Sequence, residues 1–209
     1  KPITYKIIEK LHKDLVVKSS DGKLILGDTG VKLQQKTHQL FSGTIKFEDG
    51  STRVIDTSKA EFIKEKFKGY KIGIFYKFIA ELEMLKSVFK ESLTTDLTEF
   101  DTTDKNIALQ IVSGREGISL RNADHLVFMN IDFSAVSYFQ AKDRMTTLER
   151  KENTIFWIFA KNGIEEKIYK TVQGKKDFTN STFLKEYGVK FPNQDKELLQ
   201  SKRLHRFKH

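Results

Sequence analysis

Four apolar runs, set apart by helical patterns, constrain this chain more than any other feature of its sequence. They are YKIGIFYKF (Tyr70–Phe78), NIALQIV (Asn106–Val112), HLVFMNI (His125–Ile131) and TIFWIFA (Thr154–Ala160). A strand with one wet face alternates apolar and polar residues. A strand covered on both faces reads as a continuous apolar stretch, as these do. Before, between and after them lie DTSKAEFIKEKFKG (Asp56–Gly69), AELEMLKSVF (Ala80–Phe89), Ala135–Thr147 and Gly163–Gly174, which read as helices. Strand–helix alternation of this kind predicts an α/β fold, a parallel sheet with helices on both faces. Phe156, Trp157 and Phe159 fall inside the last apolar run and are expected in the core.

The first 55 residues read differently, as irregular β-structure with one helix. Asp14–Asp28 holds two apolar runs around a Ser-Asp-Gly turn, and Thr44–Ile55 alternates around an Asp-Gly, so each predicts a hairpin. Between them, Thr29–Gly43 has the apolar spacing and glycine stop of a helix. The polar, acidic segment Glu91–Lys105 reads as a loop with room for one short strand. Order is expected to weaken after Lys176, and Asp195–His209 reads as a basic terminal helix or a frayed tail. The division expected is a hairpin-and-helix region over 1–56, an α/β lobe over 57–176 and a basic extension over 177–209.

Charge and composition narrow the partners. Lysine and arginine number 37 against 28 acids, a formal net charge of +9 that favours polyanions, although a solvated lysine-rich surface gives the same count. With no cysteine, disulfides and thiolate metal sites are excluded, and a reducing cytoplasm is the expected setting. No apolar run approaches the roughly 20 residues of a membrane span. The chain opens on Lys1, without a signal peptide, and is expected to be a piece of a longer protein.

Several chemistries lack their residues. GDTGVK (Gly27–Lys32) has glycines at the wrong spacing for a phosphate-cradling loop, and Leu33 follows the lysine where Ser or Thr is needed. No adjacent acidic pair follows an apolar run to hold Mg²⁺, the five histidines show no metal spacing, and no nucleophile elbow occurs. The adjacent Glu165 and Glu166 read as a solvated helix start that favours the N-terminal dipole.

Ordered blocks spanning roughly residues 30–177 resemble the second motor lobe of superfamily-2 helicases, in particular the remodeller-type DNA translocases and their phage-encoded relatives. KIGIFYKFIAELEMLKSVF (Lys71–Phe89) is similar to the first strand and helix of that lobe. SGREGISLRNADHLVFMNIDF (Ser113–Phe133) resembles motif V, usually A-G-G-x-G-L-N-L-x-x-A-D. QAKDRMTTLER (Gln140–Arg150) resembles motif VI, usually Q-A-x-D-R-x-x-R, and GIEEKIYKTVQGKKD (Gly163–Asp177) the helix that follows. KLQQKTHQLFSG (Lys32–Gly43) resembles the helix entering the lobe.

The resemblance implies a RecA-like lobe that completes an ATP and Mg²⁺ site held mainly by an N-terminal lobe absent from this chain. It implies that Arg144 is an arginine finger, and that Gln140 and Asp143 orient its helix. Gly114, Glu116 and Gly117 would lie against the nucleotide, with the glycines allowing close backbone approach. Ser113, Arg115 and Arg121 would contact DNA phosphates. Partners implied are DNA and the N-terminal lobe of the same parent, with a partner protein at the N-terminal hairpins as a further reading, and a phage or bacterial origin. Two positions depart from the pattern. Thr147 stands where motif VI has its second arginine, leaving Arg150 or Lys151 to substitute, and Arg115 replaces the middle glycine of motif V.

Overall fold

The computed structural model describes residues 2–111, 120–144 and 154–191, the last four residues before 145 by backbone alone. Its centre is a five-stranded sheet of β5 (Ile72–Tyr76), β6 (Leu93–Thr94), β7 (Asn106–Gln110), β8 (His125–Phe128) and β9 (Ile155–Trp157). The spatial order is β6-β7-β5-β8-β9, and every neighbouring pair is parallel. The expected α/β architecture is therefore present, and all five residues of β5 are buried.

Side-chain alternation divides the core. Ile72, Ile74, Ala108, Val127 and Met129 face one way, against α3 (Ser58–Lys66) and α4 (Ile79–Phe89). Phe75, Ile107, Leu109, Leu126 and Phe128 face the other, against α5 (Leu97–Thr102) and the Leu120–Ala123 turn. On that face Trp157 stacks on Phe128 at 4.3 Å between ring centroids, and Tyr138 of α6 (Ala135–Arg144) lies 5.4 Å from Trp157. Gly73 leaves the space that Leu120 fills, since a Cβ there would sit 2.7 Å from Leu120 Cδ1.

The N-terminal region holds the two expected hairpins, β1 (Val16–Lys18) with β2 (Leu24–Leu26) and β3 (Thr44–Lys46) with β4 (Thr52–Val54). It also holds two helices rather than the one expected. Beside α2 (Gly30–Phe41), capped by the Thr29 side chain, α1 spans Pro2–Asp14 and buries Thr4, Ile8 and Leu11 at helical spacing. These elements share one core with the end of the chain. Leu11, Leu33 and Leu40 pack in the same cluster as Ile131, Tyr138, Ile168 and Val172, the last two from α7 (Ile164–Gln173).

Two further expectations need correction. The Glu91–Lys105 segment contains the short strand allowed for, β6, but also an unexpected helix, α5, which Asp96 caps and Phe100 anchors with no exposed surface. Regular structure continues past Lys176 within the described residues, which reach 191. There, α8 (Asn180–Tyr187) is capped by Thr179, stopped by the left-handed Gly188, and buries Phe183 completely. The Asp195–His209 tail lies outside the described residues.

Gly43 joins α2 to β3 at φ +86, and its carbonyl accepts from both Ile55 and Asp56 amides. A Cβ there would run into the Asp56 carbonyl oxygen. Gly43→Ala is expected to cost about 2–3 kcal/mol, from a left-handed backbone with a side chain plus the collision. Urea denaturation checks it.

Candidate functional site

Chain order and sheet order together locate the switch point of the sheet. After β5 the chain enters α4 on one face of the sheet. After β7 it crosses to β8 by way of Leu120 and Ala123 on the opposite face, and after β8 it enters α6 on that same opposite face. The connections thus diverge around the carboxyl end of β5. In an open parallel sheet such a switch point leaves a crevice where ligands bind.

Three side chains meet there. Lys77, first residue beyond β5, donates from Nζ to Asp132 Oδ1 at 2.9 Å, with 18% and 27% of the two side chains exposed. Gln110, at the end of β7, donates from Nε2 to the Lys77 carbonyl at 3.1 Å. Asp132 Oδ1 also accepts the Phe133 amide at 2.7 Å. The ends of β7, β5 and β8 are thereby tied together at their outlet.

A buried layer holds this edge from beneath. Glu81, in the first turn of α4, has no exposed surface; one carboxylate oxygen accepts the Lys77 and Phe78 amides at 2.7 and 2.8 Å. The other oxygen accepts from Asn130 Nδ2 at 2.7 Å, just past β8. Burial pushes the Glu81 carboxyl above its ordinary value, opposed by the Lys59 charge and these donors. His38 lies fully buried between the Phe78 and Phe133 rings, at 5.1 and 4.9 Å. Burial, and then the Lys77 charge, hold it well below the usual imidazole range and so neutral. Among the described residues neither ring nitrogen has a well-aligned hydrogen bond, although the Asn130 carboxamide lies beside it.

Of the residues singled out in the sequence, Gln140 is exposed on α6. Asp143 and Arg144 occupy the last turn of that helix, with side chains outside the described residues. Ser113, Gly114, Arg115, Glu116 and Gly117, with Thr147, Arg150 and Lys151, also lie outside them. Arg121 is exposed in the turn before β8 and already makes an interaction. What the backbone does place is the root of each block. Residues 112–119 continue from Ile111 at the end of β7, and α6 begins three residues after Asp132 beyond β8, on either side of Lys77.

Sequence reasoning missed Lys77, Gln110 and Asp132. The available signal was polar residues at the ends of apolar runs: Gln110 within NIALQIV, Lys77 near the end of YKIGIFYKF and Asp132 directly after HLVFMNI. It also misread Glu165. That side chain is not solvated but fully buried, 2.6 Å from the buried Lys59 ammonium, while Glu166 is paired with Lys170 at the surface.

The crevice offers an ammonium, a carboxylate and a carboxamide, which suits binding more than bond-breaking. Among the described residues no group of acids and histidines could hold a metal ion, and no helix is long and apolar enough to cross a membrane. A separate hollow of about 280 Å³ opens beyond the end of β9, between Tyr5, Phe41, Phe62 and Phe159. Its carboxylate, Asp56, already accepts from Thr4 and Ser58, and it lies away from the switch point.

No family model matches the sequence, and no curated protein does. Solved structures similar to it include the C-terminal part of the Fun30 ATPase domain, at 22% identity and a TM-score of 0.45 over 54% of this chain. Another is domain 2 of the DEAD-box helicase Mss116p bound to an RNA duplex, at 18% identity and a TM-score of 0.36 over 49% of this chain. The matched region spans 44% and 48% of those chains respectively, under half the length of each.

Proposed function

We propose that the chain is the C-terminal motor lobe of an ATP-dependent DNA helicase or translocase. In this reading an N-terminal lobe of the same parent binds ATP and Mg²⁺, and this lobe closes over them. Arg144 supplies the guanidinium that stabilises charge on the transferring phosphoryl group, and Gln140 and Asp143 orient its helix. Residues 113–117 approach nucleotide and DNA backbone. Cycles of closure and opening move the pair of lobes along a strand.

One observation carries the reading. The two sequence blocks that resemble motor motifs are rooted at one carboxyl edge, on either side of the switch point. A fold that lacked this juxtaposition could not present both to one partner lobe.

The isolated chain is expected to turn over no ATP, because it has no phosphate-cradling loop. A phosphate-release assay on the purified chain checks this; DNA-stimulated turnover well above a heat-denatured control would refute it. Joined to the region that naturally precedes it, the chain should hydrolyse ATP in a DNA-stimulated manner that depends on Arg144.

Two residues favour a second reading, a nucleic-acid-binding or regulatory domain that keeps the fold without the motor. Thr147 cannot supply the second guanidinium, and Arg115 brings a bulky cation where a glycine is usual. Under that reading Arg144→Ala changes DNA affinity slightly and nothing else.

A further inference from the structure

We propose that Lys77 is a phosphate-binding cation of the crevice and that Asp132 holds it in reserve, yielding it when a phosphate oxyanion arrives. The inference rests on the motor-lobe reading and adds to it a specific residue and an exchange.

The geometry favours exchange over a fixed pair. Among the described residues, Asp132 Oδ1 is the single acceptor of the Lys77 ammonium, which carries three N–H donors. The Phe133 and Phe78 rings flank it at 5.4 and 6.0 Å, confining the ammonium without using its remaining donors. Part of each side chain is open to solvent, at 18% and 27%. When the ammonium leaves, Asp132 keeps the Phe133 amide and gains water, so its charge is not stranded.

Other lysines bound to the core show the contrast. Lys59 is 8% exposed and holds both Glu165 and the Met129 carbonyl. Lys71 gives its ammonium to the Phe100 and Thr103 carbonyls at the opposite edge of the sheet. Lys59 could not turn to an incoming anion without leaving buried acceptors empty, and Lys71 already has two acceptors and lies far from the switch point. Lys77 can turn, and it stands at the switch point.

The exchange has a consequence for the motor. Asp132 lies three residues before α6, the helix that carries Arg144. Capture of phosphate by Lys77 therefore removes the ion pair that ties the end of β5 to the segment leading into that helix. The phosphate could belong to a polynucleotide backbone or to a nucleotide; the chemistry that recognises it is shared.

The test uses the chain as purified, with a labelled single-stranded oligonucleotide in a fluorescence-anisotropy titration over a series of salt concentrations. Inorganic tripolyphosphate serves as the second ligand, and thermal melts confirm that each variant is folded. Lys77→Gln should weaken binding about 5-fold and reduce the magnitude of the log–log salt slope by about 0.7. Asp132→Asn should tighten it by a similar factor, because the competitor for the ammonium is gone. Lys77→Arg should stay near the parent. Any change of charge shifts anion affinity somewhat, so the same neutralisations at the exposed Lys170–Glu166 pair, Lys170→Gln and Glu166→Gln, set the background that the opposed shifts at Lys77 and Asp132 must exceed. Opposed shifts for the oligonucleotide assign the site to a polynucleotide backbone, and opposed shifts for tripolyphosphate alone assign it to a nucleotide. Shifts of the same sign, or none above that background with either ligand, overturn the proposal. An Arg144 variant should leave these shifts intact, so failure here is distinct from failure of the motor reading.

Discussion

Lys59→Met is expected to destabilise the fold by about 3–5 kcal/mol, because it strands a charge that the core cannot solvate. Glu165 has no exposed surface, and its Oε1 lies 2.6 Å from the Lys59 ammonium. Its other oxygen, Oε2, has no hydrogen-bond partner among the described residues, where the ammonium is the main compensation for that carboxylate. The Met129 carbonyl would lose its donor from Lys59 as well.

Size and hydrophobicity do not account for the expected loss, since methionine fills much of the lysine stem. The double variant Lys59→Met/Glu165→Leu separates the two effects. Replacing both charges with apolar groups of similar volume is often neutral or stabilising, so most of the single variant's loss should be recovered. Urea denaturation of the parent, the two single variants and the double gives the coupling directly. Additive losses, with the double as weak as the sum of the singles, would show that the pair is not the unit described here. The location matters too. This pair joins α3, the end of β8 and α7 beneath the crevice edge, so its loss should loosen the elements that present Lys77 and α6.

The same pair shows where sequence reading stops. Glu165 and Glu166 are neighbours at a helix start and look alike in sequence; only Lys59, 106 residues earlier, distinguishes them. Lys77 and Asp132 are separated by 55 residues and become neighbours only through the order of the sheet. Three of the four principal strands were legible because burial on both faces leaves an apolar run that needs no knowledge of partners, whereas β9 is an edge strand whose run, with Phe156, Trp157 and Phe159, is only half-buried. The two hairpins were legible through their Asp-Gly turns.

The missed helices failed for local reasons. In α1 one of the three buried positions is Thr4, which blurs the apolar stripe, although Pro2 at the first turn is a helix-start signal. The six residues of α5 contribute one buried side chain, Phe100, amid polar neighbours. In α8 the capping Thr179 and the Gly188 stop were present, but a short stretch with only Phe183 buried carries little periodicity. Caps and stops were the better guide at both ends of the chain.

Arg144→Ala, in the chain joined to a lobe that holds ATP and Mg²⁺, is expected to lower DNA-stimulated turnover by about 10³-fold. An arginine finger acts on charge that develops as the phosphoryl group transfers, so ATP affinity should change far less than turnover. Arg144→Lys should recover little, because a point charge on a flexible stem does not reproduce the planar fork of a guanidinium. Thr147 sharpens the expectation. On the motor-lobe reading, the second arginine is either lost or replaced by Arg150 or Lys151. Arg150→Ala should then add to the loss if that residue substitutes, and leave turnover unchanged if Arg144 acts alone. Full retention of turnover in Arg144→Ala, with DNA binding intact, would remove the motor reading and leave the nucleic-acid-binding one.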